Sequence, residues 1–277
     1  MRNMSFIFIS VLLISCSKEA NEDISGSPLM LCADKKNKEV CDLIHDGAFC
    51  SRLRADSLRT LVIQSREKNV KNAYAALTNL DDYKACLDNT ILAQSVRRKS
   101  DEVSRFYAVA NISDYQNKIV RETKGIRPEI NLWRYTKTGN TDYWESMVNG
   151  VDMAEHVHND VYTAMMAEAG NSGIDEAKKI ADLLLDRTEF LNDLPPEVFE
   201  LYVLYYLESG DDFKSAVWNG LYAEYVKNNP GINIHYFKSY KKMQNSTLDK
   251  AQKLVDSIIF DTDWIGLKIS ELKNVIT

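Results

Sequence analysis

Four histidines and five cysteines are the residues best suited to bind a metal or attack a substrate in this chain of 277 residues. His156 and His158 stand two apart in "EHVHND". On a helix they would point about 200° from each other and could not share one ion. His156 and Asp160 would share a face, but a metal needs more ligands than these, and His45 and His235 lie far off in sequence. Asp142 and Glu145, one turn apart in "TDYWES", have the residue types of a glycosidase acid–base pair. At the start of a helix the same carboxylates serve the helix dipole, and that is the reading taken. "SGDD" and "DDY" lack the alternating oxygen ligands of a twelve-residue calcium loop. A nucleophilic Cys50 or Cys86 would need a neighbouring base to form its thiolate, and none is identifiable. HExxH, GxSxG, Walker and GxGxxG patterns are absent, so no catalytic residue, no metal and no cofactor is expected.

Cys16 has a different setting. Arg2 precedes an apolar run from Phe6 to Ile14 that only Ser10 interrupts. The run is about half the roughly 20 residues needed to cross a bilayer, so it reads as an export signal and not a span. Leu13-Ile14-Ser15-Cys16 resembles the lipobox of bacterial lipoproteins. That resemblance implies removal of residues 1–15 and acylation of Cys16. Two or more acyl chains, at about 0.8 kcal/mol per buried methylene, hold a protein to its membrane without a spanning helix. Ser17 stands where an aspartate would resemble an inner-membrane retention signal, so the expected location is the periplasmic face of the outer membrane. Residues 16–29, too polar to pack, read as a lipidated tether reaching on the order of 20 Å. Loss of residues 1–15 would remove Arg2 alone among charged residues, taking the net charge from −6 to −7. This mild acidity argues against nucleic acid as a partner.

Export changes what the other cysteines mean. In an oxidising compartment Cys32, Cys41, Cys50 and Cys86 read as two disulfides. Zinc is the rival, but CxxC pairs and a nearby histidine pair are missing. Three connectivities are open, with Cys32–Cys41 and Cys50–Cys86 preferred.

"CDLIHDGAFCSRLRADSLR", residues 41–59, is similar to the signature of the domain of unknown function 2989 family of Gram-negative proteins. Cys41, Leu43, Asp46, Cys50 and Arg52 fit its pattern, whereas Ser51 intrudes before the arginine and Phe49 replaces the usual tryptophan. "DDYKACLDNTILAQS" around Cys86 resembles the family's later cysteine helix. The likeness covers residues 30–270 loosely and 32–98 in motif detail. It implies helical repeats and a lipoprotein, and it carries no catalytic residues over.

The elements that hold these residues are helical. The chain has five prolines and eleven glycines, and apolar residues recur at three- and four-residue spacing. Leu53, Leu58, Leu61 and Val62 mark a helix over about 49–68; Trp218, Tyr222 and Tyr225 mark another. A turn-and-start phrase recurs at Asn79, Asn111, Gly139, Asn171, Ser209 and Asn245. Each phrase offers a left-handed Gly or Asn, then a capping Ser, Thr or Asp. Its steps of 32, 28, 32, 38 and 36 residues resemble the tetratricopeptide repeat, in which stacked helix pairs share a core. Residues 206–230 come nearest, with Ala216 and Ala223 seven apart and Pro230 as the stop. A final helix over about 262–275 caps the array.

The expected fold is therefore all-α: an α-solenoid of tetratricopeptide-like hairpins whose N-terminal end, residues 30–98, is stapled by disulfides and runs into an array over 99–277. Trp133, Tyr135, Tyr202, Tyr205 and Tyr206 are candidate groove aromatics, since rigid rings give contact area at small entropic cost. The function expected is a non-catalytic binding or scaffold module, held to the membrane through Cys16. Its partner would be a periplasmic protein, a peptide or the cell wall. The alternative is a cell-envelope enzyme, or an activator of a peptidoglycan enzyme.

Overall fold

The structure is a computed structural model that describes residues 28–44, 50–93, 99–154, 156–229, 245–261 and 264–276. The expected signal, Cys16, the tether to residue 27, His45 and His235 lie outside the described residues. The regular elements among the described residues are helices: α1 (Pro28–Ala33), α2 (Lys38–Leu43), α3 (Ser51–Arg66), α4 (Val70–Ala93), α5 (Lys99–Glu122), α6 (Pro128–Thr138), α7 (Thr141–Val151), α8 (Asn159–Gly170), α9 (Ile174–Arg187), α10 (Pro196–Glu208), α11 (Asp212–Asn228), α12 (Asn245–Asp261) and α13 (Ile269–Ile276). The all-α class is as expected, and α1 already begins at Pro28, inside the expected tether. Among the described residues no helix is long and apolar enough to cross a membrane.

The chain divides into two compact units. The first comprises the described residues up to Lys68 together with Ala75–Ile119; the second comprises Asn69–Tyr74 and the described residues from Val120 onward. This division differs from the expected break near residue 99. The first turn of α4 belongs with the second unit, where the Tyr74 hydroxyl donates to Asp160 Oδ2 at 2.9 Å.

In the first unit α3 buries Leu58, Leu61 and Val62, α4 buries Leu77, Leu80, Tyr83 and Leu87, and α5 buries Ala108 and Ile112. Buried polar side chains tie these helices together. Ser57 Oγ donates to the Asn79 carbonyl at 2.9 Å, and Gln116 Nε2 donates to Asp81 Oδ1 at 2.9 Å. Both disulfides lie here. Cys32–Cys41 links α1 to α2, and Cys50–Cys86 links the residue before α3 to α4, with Cα separations of 5.7 and 6.1 Å.

Two of the expected helix starts are absent. Asn79 lies inside α4 and Asn111 inside α5, each a continuous 24-residue helix. The reason is local. The spacing of Leu77, Leu80, Tyr83 and Leu87 carries one buried face straight through Asn79, whose Nδ2 donates to the Ala75 carbonyl within the helix. No Gly or Pro breaks the run.

The other four phrases fall at helix starts, all in the second unit. Gly139 adopts φ +65° and ends α6, a conformation with little penalty only for glycine; Asn140 then caps α7 by accepting from Asp142 N. Asp211 caps α11 in the same way through Lys214 N. α6 packs on α7, α8 on α9, and α10 on α11, while α12 lies against α11. The close approach of the last pair depends on Gly220, where a Cβ would stand 2.9 Å from Val255 Cγ2. The core between these helices is rich in rings: Trp218 stacks on Tyr202 at 4.3 Å, and Phe199 lies 4.9 Å from Tyr225. Ala216 is buried, whereas Ala223 is exposed and takes no part in that packing.

The expected C-terminal helix is shorter than anticipated. A 3-10 turn, Trp264–Gly266, leads into extended chain before α13. Leu267 and Ile269 are buried with Lys268 exposed between them, an alternation that suits a strand and not a helix. There Leu191 N donates to the Leu267 carbonyl and Ile269 N to that of Glu189, forming an isolated antiparallel bridge.

Candidate functional site

The N-terminal ends of α4, α6 and α8 surround an open hollow of about 970 Å³ in the second unit. Its apolar wall is Val70, Ile126, Met153, Ala154 and Val157. Ile126 and Met153 are 45% and 64% exposed, which makes them two of the few large hydrophobic side chains left in solvent among the described residues. Polar groups complete the lining: Asn69, Lys71, exposed on the first turn of α4, and Glu129, His156, His158 and Asn159.

Helix-start chemistry holds the polar side chains in place. Asn69 Oδ1 accepts from Asn72 N at 2.8 Å at the start of α4. Pro128 opens α6, where its missing N–H costs nothing, and sets Glu129 in the first turn. Arg127 fixes the approach by donating to the carbonyls of Val120 and Thr123 at 2.9 and 2.6 Å. His158 caps α8, its Nδ1 accepting from Asp160 N at 3.3 Å. Glu129 Oε1 accepts from His158 N at 2.9 Å, which joins the starts of α6 and α8.

Behind this cap lies a three-residue network. Asp160 accepts from the Tyr74 hydroxyl and lies 3.4 Å from His158 Nδ1, and the rings of Tyr74 and His158 are 5.2 Å apart. The contact with Asp160 holds the His158 pKa above its usual value, and the same contact holds the Asp160 carboxyl below its own. Burial, followed by the bond to Asp160, pushes the Tyr74 phenol upward. Nδ1 has two roles that exclude each other. Neutral, it accepts from the helix amide; protonated, it donates to the carboxylate.

Glu129 itself is 4% exposed, and its Oε2 is buried without a hydrogen-bond partner. A buried acceptor left unpaired is costly, and a carboxylate more so. A smaller hollow of about 430 Å³ shares Ala154, His156, Val157 and Asn159 and ends on Arg187. That guanidinium is engaged, donating to the Tyr162 hydroxyl at 2.7 Å and lying 3.7 Å from Asp152.

None of the five groove aromatics lines the larger hollow. Tyr202 is fully buried, stacked on Trp218 and bonded to Asp182, so its ring faces no ligand. Tyr206 is nearly as buried and packs edge-on against the half-buried Tyr205. Half-buried Tyr135 packs on Trp144, and Trp133 is half-buried on the same helix. The rings of α10 thus come together as core.

The helical geometry assumed for His156 and His158 also differs. His156, Val157 and His158 are not helical, and His158 is the cap. A histidine cap is not announced in the sequence, where Ser, Thr, Asp and Asn are the usual signals, although a neutral imidazole nitrogen accepts just as they do. Glu129 carried one legible signal, a carboxylate directly after a proline at a helix start. Among the described residues no group of three or more His, Cys, Asp or Glu is arranged to hold a metal ion.

The model of a family described as "Protein of unknown function (DUF2989)" matches residues 13–218. Neither a curated protein nor a solved structure matches the chain.

Proposed function

The chain belongs to the DUF2989 family of proteins of unknown function, and we propose that it is a binding module, without catalysis of its own, tethered by lipid on Cys16 to the periplasmic face of the outer membrane. The hollow at the starts of α4, α6 and α8 is its ligand site. The observation that carries this reading is that exposed Ile126 and Met153 line one concavity with Glu129, a buried residue whose Oε2 has no partner. Apolar walls with a few fixed polar groups are the usual make-up of a ligand site. Binding fits better than turnover because His158 and Glu129 Oε1 already serve the helix starts.

In this reading the three hairpins of the second unit form a tetratricopeptide-like solenoid. Their second helices begin at Thr141, Ile174 and Asp212, steps of 33 and 38 residues, near the 34 of that repeat. Support for the tether comes from the Leu13-Ile14-Ser15-Cys16 sequence alone.

The test is capture of cell-envelope material by the detergent-extracted chain, wild type against Ile126→Asp with Met153→Asp. A partner or cell-wall peptide lost with the double variant supports the reading. Capture indifferent to it, or hydrolysis of cell-wall fragments by the chain, contradicts it. Cys16→Ser should leave an uncleaved precursor, and normal outer-membrane fractionation of that variant would refute the anchor.

A further inference from the structure

We infer that the hollow recognises the free amino terminus of a short peptide with apolar side chains, its ammonium donating to Glu129 Oε2. The inference rests on the reading of the hollow as a ligand site and adds the chemical class of the ligand.

Donors and acceptors around the hollow are unequally used. Three backbone amides at the helix starts are already satisfied: Asn72 N by Asn69 Oδ1, His158 N by Glu129 Oε1 and Asp160 N by His158 Nδ1. An anion would find those donors taken. Glu129 Oε2 is the polar lining atom that is both buried and without a partner, so the complementary ligand group is a donor.

Of the possible donors, a divalent metal needs several oxygen ligands, and Asp160 is committed to Tyr74 and His158. A primary ammonium needs fewer, because one of its three donors meets a carboxylate in a charge-assisted bond and the others can be served by water in the open hollow. Glu129 is one of the lining residues, and its Oε2 is covered beside the hollow. The last torsion of a glutamate is broad, so a turn small enough to keep Oε1 within reach of His158 N brings Oε2 toward a ligand in the hollow.

The rest of the lining decides what the ammonium is attached to. Ile126, Met153, Val70 and Val157 offer apolar contact beyond the reach of a bare amine. Lys71, exposed on α4, supplies a positive charge on the same hollow for a carboxylate or carbonyl further along the ligand. A positive end, apolar side chains and a negative or carbonyl-bearing far end describe a short peptide.

The experiment is isothermal titration of the full chain in detergent with four probes: the tripeptide Leu-Ala-Leu, its N-acetylated form, free leucine and n-butylammonium. The tripeptide should bind, with acetylation weakening it at least tenfold, and leucine and butylammonium weaker still. Glu129→Gln should weaken the free tripeptide at least tenfold and leave the acetylated form unchanged, since the amide oxygen can still accept from His158 N. Equal binding of free and acetylated tripeptide by the wild-type chain would overturn the inference, whatever the variant does. Tripeptide affinity unchanged in a folded Glu129→Gln chain would overturn it too. Leucine or butylammonium binding as tightly as the tripeptide would overturn the peptide assignment. Acetylated and free tripeptide binding alike, but lost in Ile126→Asp, would sink the ammonium and keep the ligand site. No heat from any probe at 10-fold excess over a millimolar dissociation constant, together with capture indifferent to the hollow, would sink both.

Discussion

The two units are held by different means. Both disulfides lie in the first, where α1 and α2 are only six residues each. Helices that short are unstable alone, and a cross-link that restricts the unfolded chain compensates. The second unit has no cysteine and relies on buried rings, among them Trp218, Tyr202, Phe199 and Tyr222. Its hairpins are long enough, and close enough at Gly220, for packing alone to hold them. The proposed ligand hollow sits on the packed unit. The contrast teaches that one staple, Cys32–Cys41, joins two short helices, that the other closes a 36-residue loop between long ones, and that neither lines the proposed ligand hollow.

Breaking the ring stack of the second unit should have the largest effect. Trp218→Ala removes a fully buried side chain and should cost about 4 kcal/mol of stability in urea unfolding. A loss under about 1 kcal/mol would mean that the stack at 4.3 Å contributes little.

Removing the staples comes next. Loop-closure entropy gives about 3.8 kcal/mol for Cys50–Cys86, which spans 36 residues, and about 2.6 kcal/mol for Cys32–Cys41, which spans 9. Double Ser variants should rank in that order by urea midpoint. Hydrogen exchange on the reduced chain should quicken over α1–α5 up to Ile119 and stay slow over α9–α11. Uniform quickening would erase the contrast between the units. Four alkylated cysteines among 32, 41, 50 and 86 in unreduced, unfolded protein would remove its basis.

A smaller effect is expected at Gly220. Gly220→Ala sets a methyl against Val255 and should cost about 1–2 kcal/mol despite alanine's better helix propensity. A stabilised variant would show that α11 and α12 have room to separate.

The smallest effect is the pH dependence of the His158–Asp160 contact, which replaces the cap when the imidazole is protonated. The His158 pKa is raised above 6.5, so its contribution is complete below pH 6.5 and is lost as pH rises through the folded-state value. The Asp160 pKa is depressed below 3.8, so its contribution is complete above 3.8 and is lost as pH falls through the folded-state value. His158→Asn retains a capping oxygen and removes the titration. The wild-type advantage over it should be greatest between pH 3.8 and 6.5 and should decline above. Both groups are about half exposed, so the difference should stay below about 1 kcal/mol. An advantage that grows above pH 7 would contradict the assignment.

The helical class, the presence of two disulfides and the hairpins after residue 139 were legible in the sequence, whereas the spacing of the four cysteines left three pairings open. Gly139, Asn140 and Asp211 announce their turns. Asn79 and Asn111 misled because the same residue types sit inside a helix when the apolar face runs through them. The hollow was not legible. It depends on the starts of α4, α6 and α8, up to 89 residues apart between Val70 and Asn159, and on a histidine in a cap role. Tyr202 and Tyr206 misled in the opposite way, since an aromatic run at a helix spacing fits a groove or a core equally well.

The central claim is that the hollow at Glu129 is where this protein meets its ligand. Amide exchange of the full chain with and without the tripeptide Leu-Ala-Leu tests it most directly. Protection confined to Asn69–Lys71, Ile126–Glu129 and the segment around Met153–Asn159 is the result predicted. Protection over residues 132–136 of α6, around Trp133 and Tyr135, with none at the hollow, would contradict it.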